Sequence, residues 1–176
     1  MTYSTVLLPL SRILFLLIGA VIWAGPSGAV PMVTDPKGFH DIAWGTSLTS
    51  RQDLEVSRAG SPVMEYQRRR EASSFAGAEM TSIRYLSVDD QFARVTIRYE
   101  GEQVHKQVLK FLESQFGPLE RIPGQMARGL NQQYNWRGSD TEINLTYQGS
   151  TERGYIFIDS RTLAPRFNDN LTDSAE

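Results

Sequence analysis

"TSLTSRQDLEVSR", residues 46–58, decides how the rest of this chain is read. Thr46 and Ser47 carry hydroxyls suited to capping the first turn of a helix. Leu48, Leu54 and Val56 are its apolar residues, and Gly60-Ser61-Pro62 closes it. These signals predict a short helix that stops near Arg58. On that reading the domain opens with a helix, and the remainder falls into the order helix, three strands, helix, three strands.

The first three strand candidates are Val63 to Arg70, Met80 to Val88 and Gln91 to Tyr99. Asp89-Asp90 makes a tight turn between the last two, which read as an antiparallel hairpin. Glu102 to Phe116 is an amphipathic helix. Val104, Val108, Leu112 and Phe116 recur at every fourth position, Leu109 and Phe111 widen the stripe, and Lys106, Lys110, Glu113 and Ser114 lie opposite. Gly117-Pro118 ends it. After a polar loop come Gln132 to Arg137, Thr141 to Gln148 and Gly154 to Ser160, joined by Gly138-Ser139-Asp140 and Gly149-Ser150-Thr151.

Each expected helix ends at a glycine closely followed by proline, and each half has a strand carrying Thr-x-Ile (Thr81 and Ile83; Thr141 and Ile143). The expected fold is therefore α+β, an antiparallel sheet of about six strands with two helices on one face. A duplicated helix-plus-three-strand repeat is its candidate origin. Alternation sends Ala93, Val95, Ile97 and Tyr99 to one face and Phe92, Arg94, Thr96 and Arg98 to the other. Ile143, Leu145 and Tyr147 oppose Glu142, Asn144, Thr146 and Gln148 in the same way. One face of such a sheet is covered and the other is wet.

At the N-terminus an apolar run from Ile13 to Ala24 follows Arg12 and leads to Ser27-Gly28-Ala29, the small-x-small pattern of a signal-peptidase site. The run is shorter than the about 20 residues that span a bilayer. The expected division is a signal peptide at 1–29, a leader at 30–38, one domain at 39–161 and a flexible tail at 162–176. The chain has no cysteine, so neither disulfides nor a lipidated cysteine are available and the fold rests on packing. With 18 basic and 20 acidic side chains, its charge makes no case for nucleic acid. A periplasmic or secreted protein is expected, without stable membrane insertion after signal cleavage.

Signs of chemistry are few. Two histidines, His40 and His105, and no cysteine leave no zinc site of the usual kind, and no phosphate- or dinucleotide-binding motif occurs. No cofactor or metal is expected. Gly45-Thr46-Ser47-Leu48-Thr49 misses the glycine that a nucleophile elbow needs at its fifth position. Trp44 reads as a packing anchor rather than a stacking platform. His105 falls within the apolar arc of its helix, as a buried histidine satisfied by a neighbour or as a pH-sensitive group. The one constellation above this background is Arg84, Arg94 and Arg98, joined by Arg68 and with Phe92 among them, on the uncovered face. Arginine with an aromatic on an open sheet suits a protein edge or an anionic group. The alternative is a solvated face whose arginines pair with Glu65, Glu79 or Glu100.

The pattern Phe39-x-x-Ile42-x-Trp44-Gly45-Thr46, with Phe116-Gly117-Pro118, Tyr134-x-Trp136 and Ile143-x-Leu145, resembles small exported bacterial proteins of unassigned activity. More loosely, the helix-plus-three-strand order is similar to β-lactamase-inhibitor proteins and to the small lipoprotein of the outer-membrane assembly machine. This chain lacks the lipoprotein's cysteine and the inhibitors' disulfides. The resemblance implies a non-catalytic interaction module of the cell envelope, its partner another envelope or secreted protein. The alternative is a carrier of a small amphipathic ligand between sheet and helices.

Overall fold

The computed structural model describes residues 29–69, 73–119 and 131–167. In chain order the strands are β1 (Val30–Pro31), β2 (Gly38–Phe39), β3 (Ile42–Ala43), β4 (Leu54–Arg58), β5 (Val63–Arg68), β6 (Ser74–Phe75), β7 (Ala78–Glu79), β8 (Ser82–Val88) and β9 (Gln91–Glu100). Helix α1 (Glu102–Phe116) follows, then β10 (Asn131–Arg137), β11 (Thr141–Gln148) and β12 (Arg153–Ser160). Eight of these strands form one sheet in the order β1-β10-β11-β12-β9-β8-β5-β4. Only β1 runs parallel to its neighbour, pairing Val30 and Pro31 with Trp136 and Arg137. The hairpins β2–β3 and β6–β7 stand apart from it.

This overturns the expected fold class. Residues 46–53 form turns with one isolated bridge, and 54–58 are strand β4, so the first helix does not exist. Leu54 and Val56 are two residues apart, which is strand spacing, and they pair with Arg68 and Tyr66 of β5. Of the two cap candidates, Ser47 has its hydroxyl bonded elsewhere. Ser47 Oγ donates to Asp90 Oδ2, and Thr49 Oγ1 donates to the same oxygen at 3.0 Å. A two-helix, six-strand antiparallel sheet is thus replaced by a mixed eight-stranded one, and the repeat loses its first helix. The six expected strands and the second helix do lie close to their expected bounds. Among the described residues the other helical piece is a single turn at 165–167.

Two further boundaries move. The expected leader supplies β1 and the first residue of β2. Beyond Ser160, Leu163 and Phe167 are buried against Val88 and Ala93, so packing continues past the expected domain end. Residues 1–28 of the expected signal peptide, the polar loop at 120–130 and residues 168–176 lie outside the described residues.

One face of the sheet is covered. Helix α1 lays Val108, Leu109 and Leu112 onto a core that includes Val95, Ile97, Tyr99, Trp136, Ile143, Leu145 and Ile156. Burying a side chain of this size contributes about 1.5–3 kcal/mol. The small hairpins complete the layer. Phe39 meets Tyr85 with ring centroids 5.9 Å apart, and Phe75 meets Phe111 at 5.2 Å. Trp44 is an anchor: its ring lies 4.7 Å from Phe92, and its Nε1 donates to Thr141 Oγ1 at 2.8 Å. Gly154 of β12 sits directly beneath Tyr99, where an added Cβ would lie 1.9 Å from the phenol ring. Only glycine allows that approach.

The β8–β9 hairpin turns on Asp89 and Asp90, both at positive φ (50° and 60°), the two-residue geometry that matches strand twist. Beyond it the register slips. Leu86 faces Arg94 but Ser87 faces Phe92, which leaves Ala93 as the extra residue of a β-bulge. A bulge inverts the facing of what precedes it. Phe92 therefore joins Val95, Ile97 and Tyr99 in the main core, while Ala93 moves to the opposite face beside Val88, Leu163 and Phe167.

Candidate partner-binding face

The face away from α1 is built as cross-strand rows. One row runs Gln133, Thr146, Tyr155, Arg98, Ser82, and the next runs Asn135, Asn144, Phe157, Thr96, Arg84. A third runs Arg137, Glu142, Asp159, Arg94, Leu86, Glu65. No helix among the described residues lies over the first two rows. The third is closed at one end by the segment carrying Leu163 and Phe167.

The structure brings together three of the five residues singled out from sequence. Arg84, Arg94 and Arg98 share the open face. Phe92 does not, because the bulge buries it completely beside Trp44 and Tyr85. Arg68 does not either. It lies opposite Leu54, on the helix side, where its Nε donates to Tyr85 Oη at 3.1 Å and its other nitrogens meet Asp41 and Asp53. Arg51 bonds the same two carboxylates, holding the Asp41 carboxyl down at about 2. Arg68 belongs to that ion-pair cluster.

The three facing arginines differ in what they touch. Arg94 is committed to the fold: its Nε and Nη2 bond both oxygens of Asp159 at 2.6 and 3.0 Å. Its guanidinium also lies 5.4 Å from the Phe157 ring centroid and 4.8 Å from that of Phe167, which ties the C-terminal segment to the sheet. Asp159 is mostly buried; burial raises its pKa, and the Arg94 bonds oppose that without reversing it. Arg84 donates through Nη1 to the neutral amide oxygen of Gln67 at 2.5 Å. Arg98 is exposed, its guanidinium over the Tyr155 ring at 5.9 Å. None of the three pairs with Glu65, Glu79 or Glu100; Glu100 instead meets Arg153 at 3.3 Å.

Tyr155 and Phe157 escaped the sequence reading. In "RGYIFIDS" (153–160) apolar residues occupy both parities, so no alternation marks which aromatics face outward. Both are half-buried members of the open face. The polar partners Asn144 and Thr146 were legible, because β11 alternates strictly.

His105 is spoken for. Gln132 Oε1 accepts from Tyr134 Oη at 2.9 Å and lies 3.1 Å from His105 Nε2, so Nε2 carries the proton and donates. Nδ1 is then the acceptor for Tyr99 Oη at 2.7 Å. The imidazole stacks on Tyr147 with centroids 3.9 Å apart. Burial lowers its pKa, and the bond to Gln132 only partly offsets this. His40 is exposed, with Nδ1 3.2 Å from Tyr85 Oη.

No protein family, curated protein or solved structure matches this chain at significance.

Proposed function

We propose that this is an exported, non-catalytic interaction module of the bacterial cell envelope that binds another envelope or secreted protein through its open sheet face. The apolar run and small-residue exit at 13–29 support export. One observation carries the binding role. The covered face is filled by α1 and two hairpins, whereas the open face keeps Arg84, Arg98, Tyr155 and Phe157 as one patch across β8, β9 and β12. Arginine and aromatic side chains are what the cores of protein interfaces are enriched in.

The experiment is a double substitution, Arg98→Glu with Tyr155→Ala. Arg98 is exposed and Tyr155 half-buried, so the variant keeps a cooperative melt. Capture of the partner is lost, because a like-charge contact at an interface costs several kcal/mol. A variant that melts cooperatively and still captures the partner refutes the assignment. Arg94 is unsuitable for this test, since its loss leaves Asp159 buried without its counter-charge.

A further inference from the structure

We infer that the occupant of the open face is an extended acidic segment of the partner protein with carboxylates at alternating positions; this rests on the reading of that face as the binding surface. Charge complementarity selects such a segment. Asp159, Glu142 and Glu55 already have partners on the face. Asp159 is held by Arg94, and Glu142 accepts from Asn135 at 2.8 Å and meets Arg137 at 3.5 Å. Glu55 accepts from the neutral Gln67 at 2.7 Å, and Glu65 stands opposite Arg58 in register without an ion pair to it. Among the described residues, Arg84 and Arg98 have no carboxylate partner. The face therefore offers two guanidiniums without a carboxylate partner beside two aromatic rings.

Their spacing selects the ligand's shape. Arg98 lies opposite Ser82, and Arg84 is two residues further along the same strand. Such diagonal positions are about 7–8 Å apart across a sheet. Alternate residues of an extended chain repeat at about 6.6 Å and point to the same side. Two carboxylates separated by one residue can thus meet both guanidiniums, each by paired N–H···O bonds. Tyr155 and Phe157, one row apart on the neighbouring strand, give the intervening aliphatic atoms a floor. A nucleic-acid backbone fits poorly, because two guanidiniums one diagonal step apart do not make the continuous basic track that successive phosphates need.

The test is fluorescence anisotropy on the purified protein with a labelled nine-residue peptide alternating glutamate and threonine. The same peptide with glutamine for glutamate is the neutral control. The glutamate peptide is expected to bind at least about tenfold more tightly, and Arg98→Gln and Arg84→Gln should each weaken it by about tenfold. Lys110→Gln, on the exposed side of α1, should leave it unchanged. Equal binding of the two peptides, or binding indifferent to both arginine variants, overturns the inference. The underlying reading is judged separately, by a photocrosslinker at position 155. A partner captured there but not displaced by excess glutamate peptide leaves the face assignment standing and refutes the acidic segment. No capture from that position refutes both.

Discussion

Truncating Phe92 tests the bulge that sorts the two faces of the sheet. Strict alternation from Val95 sends Phe92 outward among the arginines. The slip between Leu86 and Ser87 turns it inward, where it is completely buried and its ring lies 4.7 Å from Trp44 and 5.9 Å from Tyr85. Phe92→Ala removes those contacts and leaves a cavity bounded by rings that are themselves pinned. Trp44 is held by its bond to Thr141, so it cannot move in without breaking it. Truncations of this kind cost about 3–5 kcal/mol, and a site that cannot collapse falls at the upper end. For a domain of this size that lowers the melting temperature by roughly 6–20 °C. Arg98→Ala, on the exposed face, changes stability by no more than about 0.5 kcal/mol. Urea and thermal unfolding of the two variants beside the parent measure the difference. If Phe92→Ala melts like Arg98→Ala, Phe92 is on the surface and the assignment of faces is wrong.

Leu112→Ala should cost about 2–5 kcal/mol, because Leu112 is completely buried under the sheet. Lys110→Ala, two residues away on the exposed side of α1, should be nearly silent; equal effects in thermal melts would mean the helical phase is misread. His105 predicts a pH dependence. Its folded pKa lies below the usual 6.5, so as pH falls the unfolded chain binds the proton first. Its contribution is complete above about pH 6.5 and declines below that, towards the lowered folded pKa. His105→Gln should flatten urea midpoints measured between pH 8 and pH 5, and an unchanged slope would place the titration elsewhere.

Much of the fold was legible because its signals are local. The four-residue recurrence from Val104 to Phe116 predicts α1 to the residue, and the alternation in β9 and β11 marks strands half-buried on one side. What failed depends on partners far along the chain. Thr46 and Ser47 have the chemistry of a helix cap, but the Ser47 hydroxyl is engaged by Asp90, which the hairpin turn delivers to it. Leu54 and Val56 then have a strand to pair with, and two apolar residues at that spacing suffice for an edge strand though not for a helix.

The candidate site was legible in part for the same reason. Arg84, Arg94 and Arg98 follow from alternation within a hairpin, whereas Arg68 depends on how β5 registers against β4 and β8, with another hairpin between it and β8 in the chain. Phe92 was misplaced by a single inserted residue in the ladder, for which Phe92-Ala93 carries no glycine or other marker. Tyr155 and Phe157 were hidden by apolar residues on both parities of β12, because that face is covered at one end by Phe167.

On the proposed function, the open face and not the helix face meets the partner. A photoreactive residue placed at position 155 or at position 110, in the protein expressed in its native cells, tests it most directly. Docking on the open face gives a discrete adduct from position 155, lost on Arg98→Glu, and none from position 110. An adduct from position 110 with none from position 155 would contradict it.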